Sequence, residues 1–130
     1  MKGARILVTS IVLFGFTACA TSFQKPREDA NYGEPPKNFV NVIKRYTREK
    51  LAYSKGTRFQ FEQPVKAYEN SGVLFGWKVS WKGYAVDALI NRKSSGGMYM
   101  GFKPHTFLFT GNSVYRHYKG KTSLLHRLDN

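Results

Sequence analysis

Side chains able to carry acid–base, nucleophilic or metal chemistry are few in this chain and stand apart from one another. Its 130 residues hold eight Asp and Glu, three His and one Cys. Asp87 is the one acid inside a clearly strand-like run. No His neighbours it in sequence, so a solvent-facing carboxylate or an ion pair with Lys78 is expected there, not a general base. His105, His117 and His126 lack the spacing of metal ligands. No Gly-x-Ser-x-Gly elbow presents a serine nucleophile. Gly96-Gly97 has neither the strand–helix setting nor the Lys-Ser/Thr pair of a phosphate loop, and reads as hairpin geometry. The pattern points away from an enzyme and calls for no cofactor and no metal.

What remains is charge. Twenty-one Lys and Arg against eight acids give a formal net charge of +13, a surplus that attracts anionic partners or simply keeps the chain soluble. The best constellation for binding is Asn91, Arg92 and Lys93 with Tyr99 and Lys103, a basic loop beside an aromatic ring. Such a loop can hold phosphate or carboxylate groups through charge-assisted hydrogen bonds. Interleaved rings and cations also suit single-stranded nucleic acid. The plainer alternative is a solvated loop with core aromatics.

The elements that must position these residues follow from the hydrophobic periods. From Asn38 to about Leu51, Phe39, Val42, Ile43 and Tyr46 recur at helical spacing, with Asn38 as the expected cap. Lys44, Arg45, Arg48 and Lys50 take the other faces, as a solvated surface or an anion-binding strip. Beyond Gly56 the period becomes two. Thr57 to Glu62 alternates, with Phe59 and Phe61 on one side. Val73, Phe75, Trp77, Val79 and Trp81 then line one face of an expected long strand. Lys82-Gly83 is expected as a turn, after which Tyr84, Val86, Ala88 and Ile90 resume the alternation. Asn91 to Gly97 is expected as a loop and Met98 to Phe102 as a short strand. Thr106–Thr110 and Ser113–Tyr118 form a hairpin about Gly111-Asn112. The tail from Lys119 reads as weakly structured or as a short helix around Leu124, Leu125 and Leu128.

The expected fold is therefore α+β, one N-terminal helix packed on a curved antiparallel sheet of about five or six strands. The core candidates are Phe59, Phe61, Trp77, Val79, Val86, Phe107, Phe109 and Val114. Ten Phe, eight Tyr and two Trp supply enough large rings to argue against a disordered chain. Residues 38–130 form the single domain of this reading.

The first 18 residues have another purpose. Lys2 and Arg5 make a positive start, and Ile6 to Phe16 an apolar run of the length found in secretory signals. The run is shorter than the roughly 20 residues of a membrane span. At its end, Phe16-Thr17-Ala18-Cys19 resembles the lipobox of bacterial lipoproteins. The resemblance implies that Cys19 receives a diacylglyceryl group and, after cleavage, becomes the acylated first residue. At about 0.8 kcal/mol per buried methylene, two or three acyl chains anchor firmly. Ala18-Cys19-Ala20 also fits ordinary signal cleavage, which would release a soluble protein. Cys19 is the only cysteine, so no internal disulfide forms. Ala20, where Asp marks inner-membrane retention in enterobacterial lipoproteins, implies the outer membrane, with the domain facing the periplasm. Residues 19–37, carrying Pro26, Pro35 and Pro36, read as a lipid-proximal flexible tether, or alternatively as an arm across the domain through Tyr32.

Two runs, Tyr32-Gly33-Glu34-Pro35-Pro36 and Ile90-Asn91-Arg92-Lys93-Ser94-Ser95-Gly96-Gly97-Met98-Tyr99-Met100-Gly101-Phe102-Lys103-Pro104, resemble a group of small, mostly uncharacterised bacterial lipoproteins. Leu51 to Lys55 keeps little of the motif that ends that group's helix, and Met98 is an insertion. The resemblance implies an address and a fold but no activity. The functional expectation is a non-enzymatic, membrane-anchored lipoprotein presenting a basic module to an anionic envelope component or partner protein. The alternative is a nucleic-acid-binding accessory component of a secretion or uptake apparatus. Inhibition of a cell-wall hydrolase fits poorly, since such targets are commonly basic.

Overall fold

The structure, a computed structural model, describes residues 23–128 together with Gly3. Cys19 and most of the signal-like segment lie outside the described residues. The chain forms α1 (Phe39–Lys50), then β1 (Arg58–Phe61), β2 (Val65–Asn70), a single 3-10 turn (Val73–Phe75), β3 (Val79–Lys93), β4 (Tyr99–Thr110), β5 (Ser113–Lys119) and β6 (Leu125–Arg127). All pairings are antiparallel in the order β5-β4-β3-β2-β6, with β1 on the far half of β3 beyond the end of β2. Among the described residues no helix is long and apolar enough to cross a membrane.

This corrects the expected α+β class with its N-terminal helix. The domain is β-rich, a six-stranded antiparallel sheet with one short helix that lies mid-chain. Two strands are much longer than their sequence suggested, and the tail adds another.

The expected turn at Lys82-Gly83 does not exist, because β3 runs unbroken through it. Gly83 is there for space and not for a bend. A Cβ on it would meet the Phe109 carbonyl oxygen and the Trp81 ring, at 2.3 and 2.5 Å, so the indole lies across the strand where a side chain would stand. The strand also begins later than expected. Val73 and Phe75 belong to the 3-10 turn and are exposed, while Trp77 sits at a left-handed φ of 57° before β3 starts. The expected Asn91–Gly97 loop is reduced to a tight turn, and β4 continues through Pro104. The tail is not helical. The Asn70 N–H donates to the Leu124 carbonyl and the Leu128 N–H to the Lys66 carbonyl, so β6 covers the edge that β2 would leave open.

The sheet buries residues on both faces. Ile43 of the helix packs with Tyr53 and with Tyr84, Val86, Ala88, Ile90, Phe107 and Phe109 of the sheet, and Phe39, Val42, Tyr46, Phe59, Phe61 and Val114 lie around them. The apolar helix stripe thus docks as its spacing requires. Asn38, however, makes no side-chain cap; it takes a left-handed φ of 56°, tolerable for Asn, and its carbonyl accepts from the Val42 N–H. The opposite face is smaller, with Ala67, Trp81, Ala85, Leu108 and Leu125. Trp77 and Val79 belong to neither cluster.

Residues 23–37 lie against the domain through several contacts. The Gln24 N–H donates to the Trp77 carbonyl at 3.0 Å, and the Val79 N–H donates to Gln24 Oε1 at 3.1 Å. Asn70 Nδ2 bridges the carbonyls of Gln24 and Trp77. Phe23 packs edge-on against Trp77 and His126, Tyr32 joins the helix-side core, and the Lys37 N–H donates to Asn112 Oδ1.

Candidate basic anion site

The far end of the β3–β4 hairpin carries the five residues singled out for anion binding, and the structure divides them. A bulge between Asn91 and Lys93 shifts the register, so that Asn91 pairs Phe102 but Lys93 pairs Tyr99. Asn91 is buried, and its Oδ1 accepts from the Gly101 N–H at 2.9 Å. It pins the bulge and is not available to a ligand. Lys93 and Tyr99 form a group with Arg58, both cations lying over the ring, at 5.2 and 4.0 Å from its centroid. The Tyr99 hydroxyl donates to the Gly56 carbonyl. Arg92 and Lys103 come together elsewhere.

Arg92 and Lys103 line a concavity of about 120 Å³ with Tyr53, Gly101, His105 and Lys119. That is room for about four waters, hence for one tetrahedral oxyanion or a carboxylate. The Arg92 guanidinium lies 4.7 Å above the Tyr53 ring, which fixes its plane. Lys119 was not foreseen. It enters because β5 pairs it opposite His105. The ion pairs among the described residues join Arg27 to Asp29, Arg116 to Glu69 and Arg127 to Asp87. None involves Arg92, Lys103 or Lys119, so three cations converge with no carboxylate to neutralise them.

His105, which lines this concavity, belongs to a histidine pair that the sequence did not suggest. His105 Nδ1 and His117 Nε2 are 2.8 Å apart, the rings stacked within 11°. His105 is only 5 % exposed. Burial pushes its pKa down to about 4, with the charges of His117, Lys119, Arg92 and Lys103 acting in the same direction. Burial, then Lys119, also lowers His117. Both rings are therefore neutral near pH 7, one nitrogen donating to the other. Among the described residues no group of three or more His, Cys, Asp or Glu could hold a metal ion.

Asp87 answers to neither earlier expectation. It pairs with Arg127, not Lys78. Arg127 donates through Nε and Nη2 at 2.7 and 2.6 Å, and the Thr106 hydroxyl donates at 2.6 Å. Burial alone would raise its pKa, but these hydrogen bonds and the charge of Arg127 outweigh it and hold the carboxyl below its usual 3.8. A carboxylate so stabilised is a weak base. It sits in a shallow concavity of about 520 Å³ on the face away from the helix. Nearby, Glu69 is 3 % exposed and accepts from Arg116 at 2.7 Å and from the Tyr118 hydroxyl. Both acids act as structural ties between strands.

No family model, curated protein or solved structure matches the chain.

Proposed function

We propose that the protein is a non-enzymatic envelope lipoprotein, held through Cys19 on the outer membrane and facing the periplasm, whose hairpin end binds an anionic envelope component or the acidic face of a partner protein. The observation that supports this reading most is the convergence of Arg92, Lys103 and Lys119 on one small concavity, without a counter-charge among the described residues. Like charges held together repel, and a site of this kind is relieved when an anion enters. Hydrogen bonds to charged groups contribute about 1.5–3 kcal/mol each, so each of the three cations is worth roughly tenfold or more in affinity.

The nucleic-acid reading depends on free ring faces for base stacking. Here Arg92 occupies the Tyr53 ring, and Arg58 and Lys93 lie over Tyr99. The geometry favours compact oxyanions over stacked bases. The test is recovery of envelope partners after crosslinking, comparing the natural chain with Arg92→Gln/Lys103→Gln/Lys119→Gln. Recovery should fall at least tenfold while the unfolding midpoint holds or rises. Equal recovery from both would remove the proposal, and recovery of nucleic acid in place of envelope components would favour the alternative.

A further inference from the structure

The opposite end of the sheet carries a different surface. Between β2 and β3 the 3-10 turn presents Val73, Leu74 and Phe75 to solvent, 65 %, 90 % and 70 % exposed. Three adjacent apolar side chains this exposed are unusual on a soluble domain and mark a contact with something apolar. The turn is not loose. Gly76 closes it at a φ of 71°, its N–H donating to the Val73 carbonyl, and the Ser71 N–H donates to the Lys78 carbonyl at 2.7 Å. Residues 71–78 contain no acid and end in an exposed Lys78.

The position of this turn says what it meets. The residues that follow it are the ones to which the N-terminal arm is bonded, Gln24 to the backbone of Trp77 and Val79, with Phe23 against the Trp77 ring. Cys19 precedes Phe23 by four residues, which can span at most about 14 Å. An acylated Cys19 therefore holds Phe23, and with it the Trp77 ring that follows the turn, within about that distance of the lipid headgroups, while the basic concavity lies thirteen residues away along β3, up to about 40 Å at about 3.3 Å each.

We infer that the Val73–Leu74–Phe75 turn is a second membrane contact, inserting into the headgroup–acyl boundary beside the lipid anchor, with Lys78 directed to anionic headgroups. Two contacts fix an orientation that one flexible anchor cannot. The domain stands on its β2–β3 end, and the basic hairpin end faces outward. This inference rests on the anchoring reading above.

The test uses the full, processed chain reconstituted in phosphatidylethanolamine–phosphatidylglycerol vesicles. Thioether formation consumes the Cys19 sulfur, so a Leu74→Cys variant has one free thiol for a nitroxide label, and Ser95→Cys in the β3–β4 turn is the control. Both positions are exposed, so the labels leave the fold intact. Power-saturation measurements should place the label at 74 about 5–10 Å into the boundary and the label at 95 in water. An acylated, vesicle-bound protein whose label at 74 stays aqueous overturns the inference alone. Dipolar broadening between labels at 74 would assign the turn to a second copy and overturns it too. A protein without acyl mass overturns the anchoring reading, and the inference with it.

Discussion

Acidification should loosen the fold through the histidine pair. His105 has a folded pKa of about 4, against 6.5 for the free side chain. A group depressed on folding contributes stability that is complete above the unfolded value and is lost as pH falls through the folded one. Between pH 7 and pH 5, His105 alone should remove about 2 kcal/mol, from the ratio of the two binding polynomials. His117, lowered in the same direction, adds to the loss. With a urea slope of about 2 kcal/mol per molar for a domain of this size, the midpoint should drop by about 1 M. The perturbation that isolates the effect is His105→Gln, which keeps a hydrogen-bond partner for His117 but cannot titrate. Urea unfolding at half-unit steps from pH 7 to pH 4.5 should show a steep dependence in the natural chain and a clearly shallower one in the variant. Parallel curves would refute the assignment of buried, neutral rings at this site.

Other consequences can be measured as directly. Arg127→Ala should cost about 1 kcal/mol near pH 7, the pair being partly exposed. The difference between natural chain and variant should vanish only below about pH 4, since Asp87 is depressed below 3.8 and its contribution is lost as pH falls through that lower value. Gly83→Ala should destabilise by about 3 kcal/mol in thermal or urea unfolding, because the new Cβ meets backbone at 2.3 Å and an indole at 2.5 Å. Arg116→Ala should cost about 2 kcal/mol in the same assays by stripping one partner from buried Glu69. An anion in the concavity should raise the pKa of His105, so by linkage its affinity should strengthen as pH falls from 7 to 5.5; calorimetric titration at the two values checks the sign.

The regions where periodicity alone decides structure were legible in the sequence. The helix stripe of Phe39, Val42, Ile43 and Tyr46 and the buried faces of Val86–Ile90 and Phe107–Phe109 lie as their spacing requires. What escaped depends on packing between segments. Gly83 reads as a turn locally, and only the Trp81 ring crossing over it shows why a strand needs glycine there. Strand β6 exists because β2 has an edge to fill, which no property of Leu125–Arg127 announces.

The site was half visible for a related reason. With the two-residue turn at Gly111-Asn112, an unbroken register would pair His117 with Thr106 and place it on the face away from His105. The bulge between Leu108 and Phe109 shifts the pairing, so His117 sits opposite Phe107 and meets His105. A second bulge, between Asn91 and Lys93, separates Arg92 and Lys103 from Lys93 and Tyr99. One-residue slips exchange faces, and neither bulge has a sequence signal as plain as a turn. Arg92 and Lys103 could be named from charge alone, whereas Lys119 and the histidine pair could not.

The central claim is that Arg92, Lys103 and Lys119 form one oxyanion site. Amide chemical-shift mapping tests it most directly, with inorganic phosphate as the probe titrated into the isotope-labelled protein at fixed ionic strength. The shifts should be saturable and concentrated at Arg92, Gly101, Lys103 and Lys119, and the triple Gln variant should abolish them. Shifts spread along the basic face of α1, or unchanged in that variant, would contradict the account.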